Sequence, residues 1–563
     1  MPISYRFNFL SIAVHTKRLK LSRFHGRRMS TAPIPTYRDA IDALNSLQTN
    51  AAILEAMRAA GATLYPNAMP EMIDYLRRVG LEPSHLNDLN VIHITGTKGK
   101  GSTSAFTDSI LRSARPGWKI GLYTSPHLVA VRERIRINGE PLSEEEFTRY
   151  FFEVWNLLQN TKCEAATTPF MPNYFRYLTL MAFYTFDQLK VDATILEVGI
   201  GGRSDSTNVV PKPVVTGVTA LGYDHTRLLG EKLSQIANQK GGIYKEGVPA
   251  LTVEQPEEGI FELGVCAVEQ RASQFTIIDT LPSTIQLGMC LAGAHQRSNA
   301  GLAVQLVHTF FSIKDQSYPP MSDPVTSGAA SATWSGSEIE PLRSFPTSFL
   351  NGLKNAHWPG RCQTVLDPKL EATTWFLDGA HTQESLACCL EWFVSPTVGL
   401  PVVMALILDS SHPVSDEHPP RVLIFNCTSG RSGGDFLTVI LQKIEEQLAM
   451  HGSLEKKEDF FAKVIFCSNV TYASGNFKGD LTSAAMSTTD NLNLKTQREI
   501  EAAWNKLVPT FSGTVHVLPS IEDAVEEARK TLNVSVLVTG SLHLVGGVIE
   551  VAGLADRALS PKA

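Results

Sequence analysis

The run His93–Thr103, HITGTKGKGST, gathers residue types that can hold a phosphate. Gly96, Gly99 and Gly101 let the chain turn tightly, and Lys98 and Lys100 supply positive charge. Apolar β-branched residues (Val91, Ile92, Ile94) come before the glycines and helix-compatible sequence follows. A strand–turn–helix junction of this kind aims backbone N–H groups and a helix N-terminus at an anion, with Lys100 as a point charge. The run departs from the strict phosphate-loop pattern, because Gly101 stands where Ser or Thr should follow the lysine. The first hydroxyl therefore arrives one residue late, at Ser102. A nucleotide-phosphate loop of a variant type is the reading these residues support.

Further chemically loaded residues fall where strands are expected to end. Glu197 closes the run Ala193-Thr194-Ile195-Leu196 and is followed by the glycines of GIGG, which permit close approach of a ligand to the backbone. An acid so placed suits a magnesium ion; by itself it is also what a solvated turn residue looks like. Asp224-His225 ends another apolar run, where a helix cap is the plainer alternative. Ser125, in TSPH, and Lys240, in QKGGIYK, are weak signals singly. Arg132, Arg134 and Arg136 alternate through VRERIRI and are expected on one face of a strand, free to grip carboxylates or simply exposed. In the second half, Asp378-Gly379-Ala380-His381 ends a strand-like run, Arg361 stands in WPGR, and Thr428–Gly434 offers another anion-friendly turn.

The elements that must position these residues alternate. Tyr37–Arg78 has helical spacing of apolar residues, and VIHIT, IGLYT, VDATILEV and PVVTGVTAL read as strands. A helix is expected from about Thr103 to Arg112, and a long helical region over 143–190. After 315–345, rich in Ser, Pro, Gly and Ala, the alternation resumes through five strand-then-turn segments between 372 and 541. The pattern predicts an α/β protein of two domains, the first with a mainly parallel sheet and helices on both faces, the second a smaller α/β domain. The expected domains are 39–355, carrying the low-complexity insertion, and 356–563. In open sheets of this kind ligands sit beyond the carboxyl ends of the strands, where the residues above cluster.

Composition narrows the class. With 563 residues, 43% hydrophobic and 19% charged, the chain has the make-up of an ordinary multi-domain globular protein. A net charge of −6 and no basic stripe beyond residue 38 argue against nucleic acid as partner. No apolar run is long enough to span a bilayer. None of the eight cysteines forms a C-x-x-C pair, so reduced thiols are expected. Residues 1–38 hold eight Lys or Arg and no acid, the composition of a mitochondrial transit peptide. Met29 would serve as a second start, so mitochondrial matrix and cytoplasmic forms are both expected.

Taken in order, GTKGKGST, SPHLVAVRERIRING, EVGIGGRSDSTN, LGYDHTRLLG, KGGIYK, WPGR, DGAH and VTGSLHLVG resemble the folylpolyglutamate synthases of the Mur ligase superfamily. Single motifs are unspecific; eight in order are not. The resemblance implies an ATP-dependent ligase, with an N-terminal P-loop-type ATPase domain and a smaller C-terminal Rossmann-like domain. It would phosphorylate a tetrahydrofolate carboxylate, then let the amine of L-glutamate displace phosphate, building a γ-linked polyglutamate chain. It also implies that Gly99, Lys100, Gly101 and Ser102 form the triphosphate cradle. Ser125, Glu197 and His225 would hold Mg²⁺, and Lys240 would match a lysine carbamylated in relatives. Arg361 and Asp378, with His381 nearby, would reach ATP from the second domain. Lys100, Glu197, His225 and Lys240 are the expected catalytic set, K⁺ is a further candidate cofactor, and a monomer is expected. Bacterial relatives also add glutamate to dihydropteroate; the leader and the KGKGST loop favour the folate-only enzyme. A P-loop NTPase of other function is disfavoured by the loop's departure from the strict pattern and by DGAH.

Overall fold

The computed structural model describes residues 34–48, 67–287, 295–315, 345–396, 398–400, 419–427, 432–474, 480 and 494–559. Most of the leader, Met29, residues 316–344 of the insertion and Thr428–Arg431 lie outside them.

Runs of Val, Ile, Leu and Thr build the first sheet, and its five central strands are buried along their whole length. In chain order its strands are β1 (Val91–Thr95), β2 (Ile120–Tyr123), β3 (Ile135–Ile137), β4 (Glu140–Pro141), β5 (Ala193–Glu197), β6 (Val215–Val218), β7 (Pro249–Val253) and β8 (Gln274–Ile278). Their spatial order is β4-β3-β2-β5-β1-β6-β7-β8. β2 through β8 pair in parallel apart from the antiparallel β3–β4 hairpin on β2. A continuous apolar strand fits only a sheet covered on both faces, and helices supply that cover. Lys100–Ala114, Gln296–Lys314 and Thr347–Asn355 share one core with Ile92, Ile94 and Ile195. Glu144–Asn160 and Tyr174–Leu189 pack an aromatic cluster (Phe147, Phe151, Tyr177, Phe183) on the other side.

A second sheet, ordered β13-β12-β11-β14-β10-β9, collects β9 (Gln363–Leu366), β10 (Thr374–Leu377), β11 (Arg421–Phe425), β12 (Lys463–Cys467), β13 (Thr514–Leu518) and β14 (Ser535–Thr539). Only β9 runs antiparallel among them. This is the mainly parallel, two-domain α/β architecture the alternation predicts.

Three local expectations need correction. The region 143–190 is two helices, because Pro169 and Pro172 interrupt it between Asn160 and Tyr174. The first helix after the glycine loop starts at Lys100 rather than Thr103, which puts Gly101 and Ser102 in its first turn. Val131–Arg134 is a 3₁₀ turn, and only Ile135–Ile137 is strand. The cause is Glu133, whose buried carboxylate accepts the N–H groups of Leu128, Val129 and Ala130 at 2.7–3.1 Å and curls the segment around itself.

Candidate active site

Four adjacent strands, β2, β5, β1 and β6, release their chains at the same edge of the first sheet, and each release carries part of the site. After β1 the loop turns at Gly96 (φ +148°) and Gly99 (φ +91°), conformations L residues rarely adopt. Thr97 and Lys98 donate their N–H groups to Ala220 O at 3.0 and 3.1 Å, and Thr219 Oγ1 donates to Lys98 O at 2.6 Å. The loop is thus tied to the chain leaving β6. The first helical bond runs from Thr103 N to Gly99 O. The N–H groups of Lys100, Gly101 and Ser102 precede it and have no acceptor within the helix, which makes this turn an anion seat.

Lys100 Nζ donates to Gly96 O at 3.0 Å. Lys240, from the helix Leu233–Gly241, donates to the same oxygen at 2.7 Å and is only 3% exposed. Its pKa lies well below the usual lysine value, through burial first and the neighbouring Lys100 second. A lysine on a helix ordinarily projects into water; this one faces the phosphate loop.

Glu197 ends β5, opposite Ile94 of β1, and is 4% exposed. Its carboxylate accepts from Ser125 N at 3.1 Å. Burial raises its pKa to about 7, with Lys100, the Ser125 N–H and Arg361 pulling the other way. The seat therefore disfavours an uncompensated anion and would be relieved by a cation. Among the described residues no three His, Cys, Asp or Glu side chains are grouped to hold a metal. The Ser125 hydroxyl, the Glu197 carboxylate and phosphate oxygens are hard donors that fit Mg²⁺ with fewer such residues.

His225 has φ +51° and begins the short helix Thr226–Leu229, so the cap alternative describes its backbone. Its N–H bonds Asp224 Oδ1 at 2.9 Å, and Asp224 pairs with Lys98 at 3.4 Å. Partial burial lowers the His225 pKa; Asp224 opposes this, and Lys100, Lys240 and Lys98 reinforce it. Three lysines, Asp224 and His225 therefore share one electrostatic neighbourhood.

From the second sheet, Arg361 faces this group closely enough to act on Glu197. It lines a cleft with Gly101, Ser125, Glu197 and Trp358. Asp378, at the end of β10, is differently used. Its two oxygens accept the N–H groups of Cys362 and Ala380, each at 2.8 Å, so it braces the loop that carries Arg361. The His381 ring bonds Gly379 O at 2.9 Å, and its charge reaches Asp224 across the cleft.

The arginines of VRERIRI do not form an open gripping face. Arg132 donates to Leu142 O, Arg134 to His127 Nδ1, and Arg136 to Glu133 O and Gly139 O. Of the anion-friendly run Thr428–Gly434, residues 428–431 lie outside the described residues; Ser432 caps the helix Gly433–Met450. Two residues escape sequence reading altogether. Gln296 donates to Ser102 Oγ at 3.3 Å, and Asn299 donates to Gln296 and packs over Gly99. Their one available signal is the i, i+3 spacing of amides that opens the helix Gln296–Lys314.

Cations, helix N–H donors and a buried carboxylate converging at one strand edge are suited to transferring a phosphoryl group between anionic partners. No protein-family model matches the chain. A folylpolyglutamate synthase of Saccharomyces cerevisiae is 40% identical over 530 residues, covering 92% of this chain and 87% of the yeast protein. Among solved structures, Mycobacterium tuberculosis folylpolyglutamate synthase complexed with ADP and AMPPCP aligns with TM-score 0.60 at 21% identity, over 86% of this chain and 95% of that one. Escherichia coli FolC in complex with DHPP and ADP aligns with TM-score 0.61 at 20% identity, over 93% and 99%. At those identities the two structures bear on the fold.

Proposed function

The chain belongs to the folylpolyglutamate synthase family, whose members are ATP-dependent ligases joining glutamate to folate, and we propose that it lengthens the γ-linked glutamate chain of tetrahydrofolates through an acyl phosphate. The observation that carries this reading is the convergence of Lys100, Lys240 and Glu197 on the helix N-terminus at Gly99. A carboxylate is a poor acylating agent until one of its oxygens becomes a leaving group. Its attack on the γ-phosphate of ATP brings two anions together, so cations and aligned N–H groups must already be in place.

In this reading Gly99, Lys100, Gly101 and Ser102 cradle the triphosphate. Ser125, Glu197 and His225 would hold Mg²⁺, which would neutralise charge on the phosphates. Burial lowers the Lys240 pKa, which favours the amine form; that amine would add CO₂ with release of a proton to give a carbamate, and a competing cation would so become an anionic partner of that ion. Arg361 approaches from the second sheet, and closing the cleft between the two sheets keeps water from the acyl phosphate. Asp378 braces the loop that carries Arg361, and with His381 nearby would reach ATP from the second domain. We take 39–355 as the ATP-binding ligase domain and 356–563 as the smaller domain, and the enzyme as a monomer. K⁺ is proposed as an additional cation without an assigned residue.

The test is a coupled assay with tetrahydrofolate, L-glutamate and ATP, product length being read by mass spectrometry. ADP and phosphate release should require both folate and glutamate. A folate-independent ATPase rate equal to the coupled rate would sink the proposal. Lys100→Ala and Glu197→Ala should each abolish turnover with the fold intact, and a dihydropteroate arm tests the bifunctional alternative. The basic leader supports a mitochondrial matrix form, with initiation at Met29 yielding a cytoplasmic one. Finding 1–38 retained on mitochondrial protein would argue against cleavage.

A further inference from the structure

Gly101 lies in the first turn of a helix with right-handed backbone, so its conformation does not call for glycine. Glycine is a poorer helix former than alanine. What crowds a side chain there is a neighbour. A Cβ on Gly101 would stand 3.0 Å from Trp358 Nε1 and 3.5 Å from its Cε2. The indole has little freedom to withdraw. The Arg136 guanidinium lies 5.2 Å from its ring centroid, and Arg136 is itself held by the carbonyls of Glu133 and Gly139 at 3.1 Å. His357, one residue earlier, bonds Ala558 O at 3.0 Å, and Ala356 is buried in the first sheet's core. Three residues later Arg361 faces Glu197. The connection between the two sheets is therefore fastened to both, and its one large side chain rests on the phosphate loop.

We propose that Trp358 is a positioning residue for the phosphate loop: its indole fixes the start of the helix Lys100–Ala114 against the inter-sheet connection, and it is the reason position 101 carries no side chain. The displaced hydroxyl follows from this packing. A Ser or Thr at 101 would press its Cβ against the indole edge, so the loop gives up that oxygen and takes its inter-sheet contact instead. ATP binding at Lys100–Ser102 and the placement of Arg361 are then mechanically linked through Trp358. This inference rests on the ATP-site reading above.

The experiment is a double-mutant cycle on the full-length enzyme, reading KM for ATP and kcat separately, with melting curves as a control. Gly101→Ala should raise KM for ATP about tenfold in the parent. In a Trp358→Phe background, where the indole edge facing Gly101 is gone, the same substitution should change it less than threefold. Equal effects in both backgrounds overturn the proposal. Should Gly101→Ala fail to fold, the fluorescence of the parent and of Trp358→Phe is compared while AMPPCP is added. A difference spectrum present in the parent and lost in the variant supports the proposal, and identical responses refute it. Lys100→Ala separates the two readings: AMPPCP binding unchanged in that variant refutes the ATP site itself, whereas lost binding together with an uncoupled cycle refutes only the role of Trp358.

Discussion

Lys100 and Lys240 donate to one and the same oxygen, the carbonyl of Gly96, at 3.0 and 2.7 Å. Burial, and then the charge of the neighbouring Lys100, lower the Lys240 pKa well below the usual lysine value, which favours the amine form at Lys240. A neutral amine adds CO₂; an ammonium does not. Wild-type activity should fall several-fold in bicarbonate-stripped buffer and return when bicarbonate is restored. Lys240→Ala should be at least 100-fold slower at any bicarbonate level. Full activity of the stripped enzyme would rule the carbamate out.

Glu197 sets a pH dependence for metal-free protein. Its pKa rises from 4.5 unfolded to about 7 folded. Between those values the folded state binds a proton that the unfolded state has released. This contribution to stability is full below pH 4.5 and is lost as pH rises through 7, a swing on the order of 3 kcal/mol. Melting curves from pH 5 to 8 without Mg²⁺ should show the decline, and Glu197→Gln should flatten it. Added Mg²⁺ should restore wild-type stability at pH 8 and leave the variant unchanged. A wild-type profile as flat as that of Glu197→Gln would contradict the assignment.

What can be read along the chain is what depends on neighbours in sequence. The strands and the residues at their ends are legible because β-branched runs and glycine turns act locally; Gly99, Lys100, Ser125, Glu197 and Asp224-His225 do share one sheet edge. The rest depends on partners brought from afar. Lys240 looks like a solvated helix lysine until the loop after β1 covers it. The alternation of VRERIRI is genuine, yet Glu133 captures three N–H groups and diverts half of it into a 3₁₀ turn. Asn299 and Trp358 sit some 200 and 257 residues from the glycines they touch, and no spacing rule reaches that far.

Arg361 and Asp378 should separate cleanly in mutagenesis. Arg361 acts on Glu197 through charge, so Arg361→Ala should keep its melting temperature and lose at least 100-fold in kcat. Asp378→Ala would strand the buried N–H groups of Cys362 and Ala380, costing about 1–3 kcal/mol for each. That variant should melt markedly lower as well as lose activity. Unaltered stability in Asp378→Ala would show that its carboxylate is not a loop brace and would return it to direct contact with ATP.

Asp480 joins segments far apart in sequence. Its Oδ1 accepts from the Tyr37 hydroxyl at 2.7 Å and from Val131 N at 2.9 Å, and its carbonyl bonds His127 Nε2 at 2.7 Å. Because Arg134 donates to His127 Nδ1, that nitrogen accepts and Nε2 carries the proton. The ring stays neutral, its pKa held well below 6.5 by burial and then by Arg134. His127 lines the cleft, so this chain of bonds ties the helix Tyr37–Ser46 and residue 480 to the loop carrying Ser125. Asp480→Ala removes an acceptor from two donors at once and should cost about 2 kcal/mol. Tyr37→Phe removes one donor and should cost less, and after Asp480→Ala it should cost almost nothing, since the phenol then has no carboxylate to reach. A coupling of about 1 kcal/mol in that cycle, read from denaturant midpoints, is the expected result. The loop's looser hold on Ser125 should also lower kcat/KM in Asp480→Ala. Additive stability losses would mean that Tyr37 and Asp480 act independently and that no such tie exists.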